Sequence, residues 1–224
     1  MSTVMQERSR RTRAEIVRSA AELFAVDGYR SVTISDIAGR AGVTAGAVYF
    51  HFSSKEQVAS FLVEEQHRRA RARGDAVMAK GLPAIAALNH LLATIGYSIL
   101  EDPVIRAGMA LSTETLLFPE VYRQPWLDWI ETVTDLFARG IDEGDVRPDV
   151  DPIMLGKFFG PACSGVRLGS EILHQNADLL ERFRDLCLVI IPGFASEERK
   201  DALLKEAREI FEEYMHRAES IVVV

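Results

Sequence analysis

The sequence predicts an all-α fold, with a small N-terminal three-helix helix-turn-helix head and a larger helical body, and three observations predict it. Apolar residues recur at three- and four-residue spacing along almost all of the 224 residues, and no stretch alternates apolar and polar residues long enough for a convincing strand. Helix-start signals crowd together at Thr33, Thr44 and Ser53. Beyond Gly74, Pro and Gly residues divide the chain into about six longer helices. A hydrophobic content of 48% is ample for a packed core.

The first helix is expected from about Arg10 to Asp27, with Ile16, Ala20, Leu23 and Phe24 on one face and Gly28 as the stop. Thr33 and Asp36 suit reciprocal capping of a short helix that turns Ile34, Ile37 and Ala38 inward and ends at Gly42. Thr44 caps a second short helix through about Phe50. Ser53 with Glu56 forms a further capping box that opens a long helix toward Arg73. Breaks at Gly81, Pro83, Pro103, Pro119, Pro125, Gly144, Pro148, Pro152 and Pro192 then predict helices over roughly 83–100, 103–112, 122–143, 151–174, 177–190 and 196–219.

Residues 33–52 meet the demands of a helix-turn-helix, in which two short helices cross steeply so that the second enters the major groove. Ile34, Ile37, Ala38, Val43 and Val48 supply the wedge between them, Gly42 permits the turn, and Leu23 and Phe24 form the third wall. Left facing outward are Thr33, Ser35, Arg40, Thr44, Ala45, Gly46, Tyr49 and His51. Hydroxyls bond phosphate oxygens, Gly46 lets backbone approach the groove, and Lys55 adds charge beside a helix start.

Net charge is −7, which alone argues against a phosphate-rich partner, but its distribution reverses that inference. Residues 1–73 hold twelve Lys and Arg against eight Asp and Glu, so a basic head sits on an acidic body. Arg8, Arg10, Arg11 and Arg13 read either as a basic arm toward the DNA or as a solvated leader. Cys163 and Cys187 lie in apolar surroundings without metal or redox spacing, the pattern of buried free thiols in a reducing cytoplasm. No secretory leader is recognisable, and no apolar run reaches the ~20 residues of a bilayer-spanning helix, so no membrane partner is expected.

Gly28-Tyr29, the run Thr33-Ile34-Ser35-Asp36-Ile37-Ala38, Ala41-Gly42-Val43-Thr44 and the run from Gly46 to Glu56 resemble the DNA-binding head of TetR-family repressors over about residues 8–62. The resemblance implies that Thr33, Ser35, Thr44, Gly46, Tyr49, His51 and Lys55 touch operator phosphates or bases. Many members carry Lys before the Gly-Ala dipeptide, where it reads guanine, whereas this chain has Ala45. Readout then leans on Tyr49, or on contact of Ala45 with a thymine methyl. The expected division is a DNA-binding domain over 1–55 and a ligand-binding and dimerisation domain over 56–224.

In the body, the run Pro103 to Ser112, Pro125-Trp126-Leu127-Asp128-Trp129, Ser164-Gly165-Val166 and Ile191-Pro192-Gly193 resemble the γ-butyrolactone receptor branch of the family, which serves actinobacterial hormone circuits. By that resemblance Trp129 walls a ligand pocket, Ser164 bonds the ligand, and Gln66 lies at the DNA-proximal end. A small apolar signalling ligand suits aromatic walls with one or two aimed polar groups. Plain core is the competing reading of Trp129.

The family implies a homodimer on a near-palindromic operator, since two heads must reach major grooves about 34–36 Å apart. Apolar stripes at Phe158, Phe159, Val166 and Leu173, and at Leu203, Ile210, Phe211 and Tyr214, are the candidate dimer faces, with internal core as the alternative. The expected function is a cytoplasmic ligand-responsive repressor, nucleoid-associated on DNA. The alternative is a TetR-type regulator that senses an antibiotic or other drug and controls efflux or biosynthesis genes. His51, His67, His90, His174 and His216 show no metal spacing, and Glu64, Glu65 and His67 read as a charged helix face. Neither an enzyme nor a cofactor is implied.

Overall fold

The computed structural model describes residues 2–113 and 119–222; residues 1, 223 and 224, at the outer ends of the two expected domains, lie outside them. The described chain is built of α1 (Ser2–Ser31), α2 (Ile34–Arg40), α3 (Ala45–His51), α4 (Lys55–Met78), α5 (Ala84–Glu101), α6 (Pro103–Thr113), α7 (Pro119–Asp142), α8 (Pro152–His174), α9 (Leu179–Phe194) and α10 (Lys200–Val222). Among the described residues, extended pairing is limited to an isolated bridge between Val146 and Ala195. Two compact units result, one of Met1–Ala70 with Asp102–Tyr122 and one of Arg71–Glu101 with Arg123–Val224.

In the first unit, α1 kinks at Gly28, whose φ of 74° and ψ of 162° suit a residue without Cβ. Its beginning differs from expectation, since the helix starts at Ser2 rather than near Arg10. Residues 2–9 hold no Pro or Gly, and Met, Gln, Glu and Arg are good helix formers, so nothing stops the helix there. The basic leader is therefore a helical extension and not an extended arm. Ile16, Ala20 and Phe24 are buried on its inner face.

The long helix α4 also begins differently. Because it starts at Lys55, its cap is Ser54 and not Ser53: the Gln57 N–H donates to Ser54 Oγ at 3.2 Å, and the Ser53 N–H donates to Gln57 Oε1 at 2.6 Å. Gln57 thus takes the place expected of Glu56, bonding Ser54 through its N–H and Ser53 through its side chain.

Helix α6 packs on α1 and is fastened to α4. Asp102 precedes it and accepts from the N–H groups of Val104 at 2.9 Å and Ile105 at 3.4 Å. Gly108 lies directly over Gln66, where a Cβ would meet the Gln66 side chain with Cγ at 2.7 Å and the Leu62 carbonyl at 3.2 Å. Only a residue without Cβ permits that approach.

In the second unit, α5 is the central helix, apolar over its 18 residues and buried on most sides. Gly96 lets it settle against Leu180 and Phe183 of α9. Helix α10 covers another side, with Tyr214 and Thr94 sharing a hydroxyl hydrogen bond at 2.9 Å. Leu203, Ile210, Phe211 and Tyr214 are all buried within this unit, so the expected α10 dimer stripe is core. Periodicity marks a buried face but does not say whether the covering atoms belong to the same chain.

Pro125 and Pro192 do not break helices as expected; they lie inside α7 and α9, as Pro161 does inside α8. A proline removes one ladder bond and costs about 3 kcal/mol in a helix interior, which burial of a helix face can exceed. Pro192 sits in the last turn of α9, with only Gly193 and Phe194 following it in the helix. Cys163 and Cys187 are buried free thiols, and burial pushes the Cys187 thiol up to about 12.

Candidate nucleic-acid interface and ligand site

Helices α2 and α3 are each opened by a threonine. Thr33 Oγ1 accepts from the Asp36 N–H at 3.2 Å, while Asp36 Oδ2 accepts from the Thr33 N–H at 2.8 Å and from its hydroxyl at 2.6 Å. These bonds hold the Asp36 carboxyl below its ordinary range. Thr44 Oγ1 accepts from the Ala47 N–H at 3.2 Å. Gly42, at φ 65°, turns the chain between them, and its neighbour Val43 donates its N–H to Ala38. Ile37, Ala38 and Val48 are buried as the expected wedge, with Phe24 of α1 behind them.

These caps decide what the outward groups can still do. The Thr33 hydroxyl proton is spent on Asp36, whereas Thr44 only accepts within the head and keeps its O–H to donate. Ser35 is exposed on the first turn of α2. Lys55 is half-buried: its Nζ donates to the carbonyls of Tyr29 at 2.9 Å and Val32 at 3.0 Å and stands 4.3 Å from the Tyr29 ring centre. An ammonium has three N–H donors, so at most one remains for a phosphate.

On α3, Gly46 is exposed, and a Cβ there would meet nothing nearer than Thr44 Oγ1 at 3.8 Å. The head itself does not require a glycine at this position. Tyr49 is 55% exposed. His51 is partly covered, and burial, followed by the charge of Arg13, lowers its pKa from the ordinary value, favouring a neutral ring.

The basic residues divide into engaged and open ones. Arg13, expected in the leader, lies over the rings of Phe61 at 4.0 Å and Phe52 at 4.9 Å. Arg40 pairs with Glu22 at 2.7 Å. Arg8, Arg10 and Arg11 remain exposed along α1. Sequence reasoning missed Phe50, which is 80% exposed on α3. The signal was available, since position 50 follows Gly46 by four residues and so shares its face.

Of the three expected ligand-site residues, Gln66 lies in the first unit, 4% exposed, and its Oε1 accepts no hydrogen bond from the described protein. Trp129 and Ser164 lie in the second, on α7 and α8. There Gly156 and Gly160 let the helices close: a Cβ at Gly160 would meet Trp126 at 2.5 Å and Trp129 at 3.3 Å, and one at Gly156 would strike Thr134. Ser164 lies one helical turn beyond Gly160 on α8. The Glu64, Glu65 and His67 cluster reads as a charged face, since Glu65 accepts from both Arg68 and Arg69. Among the described residues no group of acidic, His or Cys side chains could hold a metal ion.

Comparison with known proteins places these features. Residues 16–60 match the family model for bacterial regulatory proteins of the tetR family, and residues 83–196 match the tetracyclin repressor-like C-terminal domain. The A-factor receptor protein of Streptomyces griseus is 32% identical over 190 residues, which cover 85% of this chain and 66% of that protein's length. A crystal structure of a γ-butyrolactone receptor, an ArpA-like protein, superposes with a TM-score of 0.80 at 28% identity, over 92% of this chain and 99% of that one. CprB from Streptomyces coelicolor, in complex with its biological operator sequence, gives a TM-score of 0.78 at 29% identity over 92% and 99%. The chain belongs to the tetR family of bacterial regulatory proteins, transcriptional regulators rather than enzymes.

Proposed function

We propose that the chain is a ligand-responsive transcriptional repressor that binds operator DNA as a homodimer and is released by a small γ-butyrolactone-type signalling molecule. The observation that carries this reading is the outward surface of α2 and α3, where Ser35, Thr44, Gly46, Tyr49 and His51 present hydroxyls, a bare backbone, a phenol and a neutral imidazole without occupying the core. Thr33 and Lys55 complete the DNA-contacting set, Thr33 chiefly by holding the start of α2 and Lys55 through its remaining donor. The head is assigned to residues 1–55 and sensing and dimerisation to 56–224. The repressor works in the bacterial cytoplasm, on the nucleoid when bound.

The ligand is assigned Trp129 as an aromatic wall and Ser164 as a hydrogen-bonding hydroxyl. Gln66 is assigned as a further contact because its buried carbonyl oxygen lacks a protein donor. Trp126, Trp129, Ile130 and Thr134, which meet α8 at Gly156 and Gly160, carry no carboxylate, which favours a neutral apolar ligand over a cationic drug. Ligand binding moves α4, which begins beside α3, and takes the paired heads off the groove spacing. To swing the population from 1:99 to 99:1 the ligand must prefer the released geometry about 10⁴-fold.

The partner copy is assigned to α8 and α9. Ile153, Met154, Phe158, Leu168, Ile172 and Leu173 on α8 and Val189 on α9 are large apolar side chains left exposed, a patch of the kind that marks an interface.

Mobility shift with a duplex selected from a random pool, with and without γ-butyrolactones, butenolides and furans, tests the reading. Specific binding relieved by one of these supports it; binding that no saturating ligand changes overturns the sensing half. Trp129→Ala is expected to keep DNA binding and lose the ligand response.

A further inference from the structure

We propose that α3 reads its half-site through thymine methyl groups, with Phe50 as the principal apolar contact. The inference rests on the operator-binding reading of the head and adds what the head recognises there.

The residues of α3 are Ala45, Gly46, Ala47, Val48, Tyr49, Phe50 and His51. Guanine is read by Arg or Lys, adenine by Asn or Gln and cytosine by Asp or Glu, and this helix contains none of the six. Thymine is the base that offers an apolar group in the major groove, its C5 methyl. The helix therefore lacks the side chains that read those three bases through paired hydrogen bonds and is rich in the apolar groups that suit the fourth.

Its surface is divided to match. Val48 is fully buried against the head, and Phe52, which follows the helix, is buried as its cap. Two rows face outward, each with a small residue one turn ahead of an aromatic: Ala45 before Tyr49, and Gly46 before Phe50. The small residues let the start of the helix approach a surface, and the aromatics follow it in. Phe50 is 80% exposed, and its ring meets His51 edge-on with centroids 5.2 Å apart. A single exposed aromatic needs no explanation on an ordinary helix. Here it is continuous with the row through Gly46, at which the fold itself leaves open space. Thr44 at the cap and Tyr49 supply hydroxyls, which bond phosphate or base edges and fix register without choosing among bases as an Arg would.

The test uses the full chain and duplexes it selects from a randomised pool. The selected half-sites are expected to hold T·A pairs at the positions facing α3. Replacing those thymines by uracil, which removes only the methyl, should weaken wild-type binding about fourfold at each contacted methyl, the factor that burial of one such group implies. Phe50→Ala should bind the thymine duplex more weakly yet bind thymine and uracil duplexes alike, and Phe50→Leu should restore part of the difference. Because Phe50 is exposed, thermal melting of both variants should match wild type. Uracil duplexes bound as tightly as thymine duplexes overturn the proposal. So does an equal loss by Phe50→Ala on both duplexes, which means a sugar or phosphate contact. Failure to select any duplex overturns the operator reading itself together with this one, and so is distinct from selection without methyl sensitivity.

Discussion

Arg69 Nη1 on α4 stands 3.0 and 2.9 Å from the two carboxylate oxygens of Asp102, the residue that caps α6. Asp102 is buried, and Arg69 spends its Nε on Glu65 one turn earlier. One carboxylate thus satisfies the first N–H groups of α6 and ties them to α4. Removing it leaves the Arg69 guanidinium with Glu65 but without its second carboxylate, and leaves α6 uncapped. Asp102→Ala should cost about 2 kcal/mol, less than a fully buried pair because Arg69 is one-third exposed. Asp102→Asn keeps a capping oxygen and should lose less. Urea midpoints of the three proteins decide this, and equal midpoints for the Ala and Asn variants would assign the whole effect to the ion pair with Arg69 and none to the cap.

Gly46→Ala should move stability and DNA binding in opposite directions. A Cβ there meets no atom closer than 3.8 Å, so Ala relieves the entropic cost of glycine in a helix and should stabilise by about 0.5–1 kcal/mol. The same methyl stands where the proposed DNA approaches, so affinity for a selected duplex should fall more than tenfold. Melting temperature and mobility shift on one preparation measure both. A variant that is more stable and binds as before would remove the close approach from the proposed interface.

Much of this was legible in the sequence because local signals are short-range physics. Thr33 with Asp36, Gly42 and Thr44 each act within four residues, and the body helices fell within a few residues of their expected spans. What could not be read depends on distant atoms. The Leu203, Ile210, Phe211 and Tyr214 stripe looks the same whether α5 or a second copy covers it. Lys55 reads as a free charge until Tyr29 and Val32 are seen to present carbonyls to it. Arg13 likewise reads as leader until Phe61 and Phe52 lie beneath it. Gly108 carries no signal in a sequence where its neighbour across the helices, Gln66, is 42 positions away. Pro125 and Pro192 misled because a proline's local cost was weighed without the burial that offsets it.

The Glu65 carboxyl gives the first unit an acid-sensitive joint on α4. Hydrogen bonds from Arg68, then Arg69, outweigh its partial burial and lower its pKa from 4.5 to about 2. The folded value lies below the unfolded one, so protons favour the unfolded chain. Its contribution is complete above pH 4.5 and disappears as pH falls toward 2. Glu65→Gln should therefore lower the melting temperature at pH 7 and leave it unchanged near pH 2, the two curves converging across that window. Parallel curves would mean that the ion pairs contribute nothing to folding.

Leu173 and Phe158 offer the sharpest test of assembly, because they are the part of the expected α8 stripe that the fold leaves exposed, while Phe159 beside them is buried. Carboxylates at Phe158 and Leu173 face water in the monomer and cost little there, but between two copies they place unpaired charges in an apolar contact. The double variant Phe158→Glu with Leu173→Glu should elute as a folded monomer under light scattering, with near-native helicity. Its affinity for a two-half-site duplex should drop at least a hundredfold toward that for a single half-site, since the effective concentration of the second head is lost. A variant that remains dimeric would move the interface off this face of α8. A monomer that kept full operator affinity would show that one head suffices and would remove the need for groove spacing in the release mechanism.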